Sequence, residues 1–265
     1  MTGDRPSWAP ESIDLDRPNA ARVYDYLLGG AANFETDRVF AEKLLEVMPQ
    51  ARGAARLNRA FLRRAVKFCA SAGITQFLDI GSGVPTAGNV HEVAPDARVL
   101  YVDNEPVAVS HSELLLRDSP LATTIHGDLT NPEPILDSRV IDYSQPVALL
   151  MVAVLHFVPD SANPYEAVAK YVSALAPGSY VVLSHGVERP TLEGRAEVDQ
   201  LYKTSANPGV RRTPAEIMRF LEGLELVEPG LVWTPQWRPE SPDDVGDDPE
   251  SSLVMAAVAR KPSGP

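Results

Sequence analysis

The chain has 265 residues, 44% hydrophobic and 23% charged, so it can bury a full core without disulfides or metals. Asp and Glu outnumber Lys and Arg by 36 to 24, a net charge of −12. That excludes a general binder of nucleic acid or anionic membrane, because neutralising phosphate needs cations. The single cysteine, Cys69, excludes an intrachain disulfide and a cysteine-rich zinc site, and it reads as a small buried hydrophobe.

No apolar run approaches membrane-spanning length, and Met1 to Pro18 lacks the apolar stretch of a secretory signal. The expectation is a cytoplasmic protein with a loose arm over residues 1–18 and one domain over residues 19–265. Asn19 predicts an N-cap, and Val23, Leu27 and Leu28 a short helix stopped at Gly29-Gly30. Thr36 predicts the cap of a second helix with Val39, Phe40, Leu44 and Val47 as its apolar stripe. A third helix is predicted from about Arg52 to Ala72, with Gly73 ending it. Its opposite face carries Arg52, Arg56, Arg59, Arg63 and Lys67. A solvated face is one reading of that run, and a phosphate or acidic-partner site is the other. Together residues 19–72 form a helical cap.

From residue 73 to 185 the pattern changes. Apolar runs at Gln76–Ile80, Val99–Val102, Ala122–His126, Val147–Leu155 and Tyr180–Ser184 alternate with helical segments near Thr86–Ala94, Glu105–Arg117, Pro132–Val140 and Pro164–Leu175. Such alternation predicts right-handed crossovers and a parallel sheet covered on both faces. Residues 186–212 read as an insertion on the acceptor side of any ligand. In residues 213–265, Thr213-Pro214-Ala215-Glu216 predicts a capped helix, Leu224–Val232 a strand, Pro235–Glu250 an exposed loop and Ser252–Arg260 a last strand. Two strands without an intervening helix predict an antiparallel pair at the sheet edge.

Three strand ends carry chemistry. The first runs into Asp79-Ile80-Gly81-Ser82-Gly83, where glycines let the backbone approach a ligand closely. The second ends in Asp103-Asn104, with Asp103 20 residues beyond Gly83, the place of a ribose-binding acid. The third ends in Gly127-Asp128-Leu129, where a carboxylate can accept from an exocyclic amine. In an open α/β sheet all three fall at one ligand-binding edge. Thr86 stands where a dinucleotide fingerprint wants its last glycine, and Asp79 is unfavourable beside a diphosphate. An anion there favours a cationic ammonium or sulfonium, which prefers S-adenosylmethionine over NAD.

Phe77 to Leu129 resembles the class I S-adenosylmethionine-dependent methyltransferases, with Asp79 to Gly83 as the glycine motif and Asp103 as the ribose carboxylate. The stretch Asn19 to Gly30, then Asn33-Phe34 and Asp37-Arg38, is similar to the N-terminal signature of an actinobacterial S-adenosyl methyltransferase family. So are Arg211-Arg212-Thr213-Pro214, Glu228 to Val232, and Trp237. Pro85 departs from the broad class I pattern, which often has a further glycine there. The resemblance implies a Rossmann-like α/β fold with a mostly parallel seven-stranded sheet and N-terminal helical additions. It also implies S-adenosylmethionine as methyl donor, S-adenosylhomocysteine as product, no metal and a small-molecule acceptor. Two alternatives stand beside it: a non-catalytic S-adenosylmethionine-binding regulatory protein and an NAD-dependent oxidoreductase.

A proton-bearing acceptor calls for a base. His156 and His185 follow the fourth and fifth strands and are the candidates. Tyr24 or Tyr26 with Asn33 are expected to touch the methionine end of the cofactor, either as a closing lid or as part of a packed leading helix. Tyr202, Arg211 and Trp233 are expected at the acceptor pocket, with Arg211 and Arg212 able to hold an acidic acceptor. Oligomeric state is not legible in these residues.

Overall fold

The computed structural model describes residues 13–85, 88–188 and 194–263. Three helices lead: α1 (Ala20–Leu28), α2 (Glu35–Val47) and α3 (Ala51–Ser71). Then come β1 (Gln76–Ile80), α4 (Val90–Val93), β2 (Arg98–Asp103), α5 (Pro106–Leu115), β3 (Ala122–His126), α6 (Pro132–Leu136), β4 (Ala148–Val152), α7 (Pro164–Ala174) and β5 (Tyr180–Gly186). The chain continues through α8 (Arg195–Tyr202), α9 (Pro214–Arg219), β6 (Glu225–Leu226), β7 (Val232–Trp233) and β8 (Val254–Arg260).

The sheet order is β3-β2-β1-β4-β5-β8-β6, with β7 also on β8. The first five strands are parallel, and β8 runs antiparallel to β5 along seven paired residues from Tyr180↔Arg260 to Gly186↔Val254. The expected strand over Leu224–Val232 is two short strands instead. Pro229 lies between them and has no N–H to give a ladder. The sheet path has the seven strands expected, and among the described residues the two-residue β7 adds an eighth, paired to β8 off that path.

Strand alternation builds a core on each face. Leu78, Ile80, Leu149, Met151, Val181 and Leu183 point to α7 and α9. Phe77, Ala148, Leu150 and Val182 point to the apolar face of α3, where Phe61, Leu62, Ala65 and Cys69 repeat at helical spacing. Cys69 is fully buried, and burial pushes its thiol up to about 12, so it is inert packing. Trp237 is also fully buried, set edge-on to Phe61 and Phe68. The buried Arg64 guanidinium donates to its carbonyl at 2.9 Å and to that of Thr234 at 2.7 Å. The segment from Pro235 is thus not simply an exposed loop.

The cap is tied down by buried charge. Arg22 is 1% exposed. Its Nε donates to Asp37 at 2.8 Å, Nη1 to Glu105 at 3.0 Å, and Nη2 to the carbonyls of Asp14 and Arg17. Asp37 also accepts from the backbone N–H groups of Asn19 and Phe34. That capping bond starts α2 at Glu35, ahead of the expected Thr36 cap, whose hydroxyl donates to Leu15 O instead. Residues 13–18 are accordingly packed rather than loose: Ile13 lies against Ala32, Val84, Val107 and Ala108. Residues 1–12 lie outside the described residues. Among the described residues no helix is long and apolar enough to cross a membrane.

Candidate active site

A cavity of about 310 Å³ opens at the carboxyl ends of the parallel strands, beneath α1, α2, α3 and α8. Asp79, Gly81, Ser82, Gly83, Asp103, Asn104, Gly127, Asp128 and Leu129 all line it, so the three predicted strand ends meet in one place. The convergence follows from the parallel order β3-β2-β1, which brings the ends of consecutive βα units side by side.

The turn after β1 explains its glycines. Gly81 has φ +69°, and a Cβ there would lie 2.2 Å from the Val154 side chain. Gly83 has φ +68° and donates its N–H to Asp103 Oδ2 at 2.7 Å. Asp103 Oδ1 accepts from Glu105 N at 2.8 Å, so the carboxylate is fixed from both sides. Burial raises its pKa, and these backbone N–H groups oppose the shift. In Asp128, Oδ1 accepts from both the backbone and hydroxyl of Thr130, leaving Oδ2 available. Asp79 is buried among apolar strands, which pushes its carboxyl up to about 7; Arg59 opposes the rise and Asp103 adds to it. Ser82 Oγ is buried and has no hydrogen-bond partner.

The cap brings residues the sequence reading did not single out. Asn58 donates to Tyr24 Oη at 3.0 Å, and its Oδ1 accepts from Ser184 Oγ at 2.6 Å. Tyr24 Oη in turn donates to Ala55 O, and Ser184 Oγ accepts from Ala153 N. A continuous polar chain thus joins α1 to the tips of β4 and β5. One signal pointed to Asn58: an amide on the apolar stripe of α3 between Ala54 and Phe61. Arg59, from the face read as solvated, also lines the cavity and donates to Asn89 at 2.8 Å.

His156 lines the cavity from a short helical turn after β4. Burial, with His185, Arg212 and Arg211 nearby, holds its pKa well below the usual histidine value. His156 Nδ1 accepts one long bond, 3.4 Å, from the backbone N–H of Gly186, whereas His185 is held closely at both nitrogens. It is fully buried, its Nδ1 lies 2.7 Å from Gly186 O and its Nε2 2.9 Å from Arg212 Nη1. A carbonyl can only accept and a guanidinium only donate, so His185 is neutral with the proton on Nδ1. Neither nitrogen is left for an acceptor, which removes His185 as a base.

Three other expected contacts fall elsewhere. Tyr26 turns outward, donating to Glu42 under the Arg52 guanidinium. It sits two residues from Tyr24, on another side of the same helix. Asn33 is spent inside the cap, donating to Asp25 and Gly30 and accepting from Arg38. Trp233 pairs with Met255 at the sheet edge and does not reach the cavity. Tyr202 and Arg211 do line it. Arg211 is paired with Asp199, and Arg212 points into the protein, onto Leu155 O, Val158 O and Asp160. The two arginines therefore do not form a joint anion site.

A family profile described as S-adenosyl methyltransferase matches residues 6–262. The chain belongs to that family. It is similar to the crystal structure of a candidate methyltransferase from Thermobifida fusca YX, at 41% identity and a TM-score of 0.89 over 97% of this chain and 100% of that one. It is also similar to a DUF574 family protein from Streptomyces avermitilis MA-4680, at 37% identity and a TM-score of 0.87 over 93% and 98%. The N-methyltransferase NodS from Bradyrhizobium japonicum WM9, in complex with S-adenosylhomocysteine, shares the fold alone, at 18% identity and a TM-score of 0.52 over 91% and 100%. No curated protein matches the chain. As a member of the family it is an S-adenosylmethionine-dependent methyltransferase of class I, Rossmann-like architecture. The residues present suit that donor: a partnerless buried hydroxyl at Ser82 and a carboxyl at Asp79 that a cation would ionise.

Proposed function

We propose that this methyltransferase acts on a small-molecule acceptor, with the strand tips holding the donor and His156 taking the acceptor's proton. The observation that carries the reading is the convergence of Asp79, Asp103, Asp128 and His156 on one cavity. Asp103 is suited to the ribose hydroxyls and Asp128 Oδ2 to the adenine amine, with Leu129 and Asn104 beside them. The backbone of Gly81, Ser82 and Gly83 and the carboxylate of Asp79 are suited to the methionine end, and Tyr24 to the cap side. When bound, the donor would supply an activated methyl on a sulfonium, whose sulfur would keep the C–S electron pair as the acceptor took the methyl, and His156 would take the acceptor's proton. Alignment and exclusion of water are the protein's part.

Calorimetry with S-adenosylmethionine, S-adenosylhomocysteine and NAD tests the reading. Both adenosyl compounds are expected to bind and NAD to be ignored. Asp103→Ala removes a charge-assisted ribose contact, with an expected loss of about 1.5–3 kcal/mol. Tight NAD binding, or an unaffected variant, overturns the assignment. Formation of S-adenosylhomocysteine on addition of acceptor separates the enzyme from a mere binder.

Asp79 makes cofactor affinity pH-dependent. Its carboxyl, near 7 when buried alone, must be ionised to pair with a cation. Affinity is therefore expected to fall as pH drops below about 7, approaching tenfold per pH unit. In Asp79→Asn it is weak and flat with pH. The sign for stability is opposite. A folded-state pKa raised above the unfolded value means that ionised Asp79 destabilises the fold. The apoprotein thus loses stability as pH rises from about 4 through about 7. Asp79→Asn is expected to be the more stable apoprotein at pH 8 and to converge with wild type near pH 4, as thermal melts will report.

A further inference from the structure

The cavity has two chemically different halves. The strand-tip half holds Asp79, Asp103, Asp128 and Arg59. The other half runs under the cap, where Leu27, Leu44, Met48, Val198 and Leu253 form the wall. These side chains belong to a hydrophobic cluster of their own, separate from the two cores that flank the sheet. It has an aromatic rim, since Tyr202 packs edge-on to Phe40 and lies beside Phe157.

Among the described lining residues, the polar groups of the cap-side half are neutral or paired. Tyr24 and Asn58 are bonded to each other and onward to Ala55 and Ser184. Burial pushes the Tyr202 phenol up to about 12, so it carries no charge at neutral pH. Asp199 and Arg211 are ion-paired. A charged molecule entering this half would give up water and find no free counter-charge among the described lining residues, which is unfavourable. An alkylamine arrives protonated and would need a carboxylate; Asp199 is held by Arg211. A carboxylate would need a cation; Arg211 is held by Asp199, and Arg212 is turned away. A hydroxyl on an apolar ring needs only a proton acceptor at one end, and His156 lines the same cavity with its ring against Phe157, which lies beside Tyr202 of the aromatic rim.

We infer that the methyl acceptor is an uncharged, ring-sized apolar molecule that presents a hydroxyl to His156, so that the product is a methyl ether. The inference rests on the methyl-transfer reading above. It narrows that reading to oxygen as the methylated atom and to burial of apolar area as the source of acceptor affinity.

The test uses the full chain saturated with S-adenosylhomocysteine and three probes of one shape: 2-naphthol, 2-naphthylmethylamine and 2-naphthoate. Calorimetry is expected to show 2-naphthol binding at least about tenfold tighter than either charged probe. With S-adenosylmethionine in place of the product, 2-naphthol is expected to be the probe that yields S-adenosylhomocysteine and its methyl ether. Leu44→Asp places a charge in the wall, and Met48→Phe fills the chamber without one. Each is expected to weaken 2-naphthol by about tenfold or more while S-adenosylhomocysteine affinity stays within about twofold. The second variant keeps the test informative if the first does not fold. Equal or tighter binding of a charged probe, no binding of 2-naphthol to the loaded protein, or unaltered 2-naphthol binding in Met48→Phe overturns the acceptor class while leaving methyl transfer intact. Failure of the wild-type chain to bind S-adenosylhomocysteine overturns the parent reading instead, and the acceptor class with it.

Discussion

Arg22→Met is expected to lower the free energy of unfolding by about 3–5 kcal/mol, measured by urea denaturation at pH 7. The guanidinium is the common partner of two buried carboxylates and two backbone carbonyls. Methionine fills much of its volume but leaves Asp37 and Glu105 without their cation, and stranding a buried charge is costlier than losing a whole pair. Arg22→Lys is expected to recover only a little, because one ammonium cannot reach four acceptors arranged as a fork. Pairing Arg22→Met with Glu105→Gln is expected to recover part of the loss by removing one stranded charge. An Arg22→Met chain as stable as wild type would show that the cap is held by its apolar cluster alone. The effect extends to the donor site, since the backbone N–H of Glu105 is one of the groups fixing Asp103.

His156→Ala is expected to slow methyl transfer to a hydroxyl acceptor by about 10²–10⁴-fold while S-adenosylhomocysteine still binds. The pH profile gives an independent check. Burial and the neighbouring His185, Arg212 and Arg211 keep the imidazole uncharged well below its usual titration. With saturating donor, kcat is therefore expected to be flat from about pH 6 to about pH 8. The loss of donor affinity at low pH belongs to Asp79 and shows in KM for the donor. A limb in kcat near pH 6.5, or an alanine variant as fast as wild type, would remove His156 from the reaction.

The strand-tip groups were legible because each is announced locally. An acid or glycine directly after an apolar run sits at a strand end, and the βα order brings consecutive ends together. The cap was not legible in the same way. Arg22, Asp37 and Glu105 are far apart in sequence, and nothing in any one segment marks their meeting. The two histidines looked equivalent because each follows an apolar run. They diverge because Ser184 faces α3 and the cavity side, so alternation sends His185 to the opposite face, against Phe220. Tyr24 and Tyr26 separate for the corresponding reason on a helix. The stretch Leu224–Val232 does not form one strand because Pro229 interrupts the ladder between β6 and β7.

Arg212 closes a loop on itself. It bridges to Val187, receives the backbone N–H of Glu188, and grips His185 and both ends of the His156 turn. The excursion between Glu188 and Arg212 thus leaves and rejoins the sheet at one riveted point. Between those ends it reaches the reacting group directly, since Val210 donates its backbone N–H to His156 O at 2.7 Å, and it supplies Tyr202 and Arg211 to the cavity wall. One segment thus shapes the acceptor wall and steadies His156, so a change in it is expected to alter acceptor choice and turnover together.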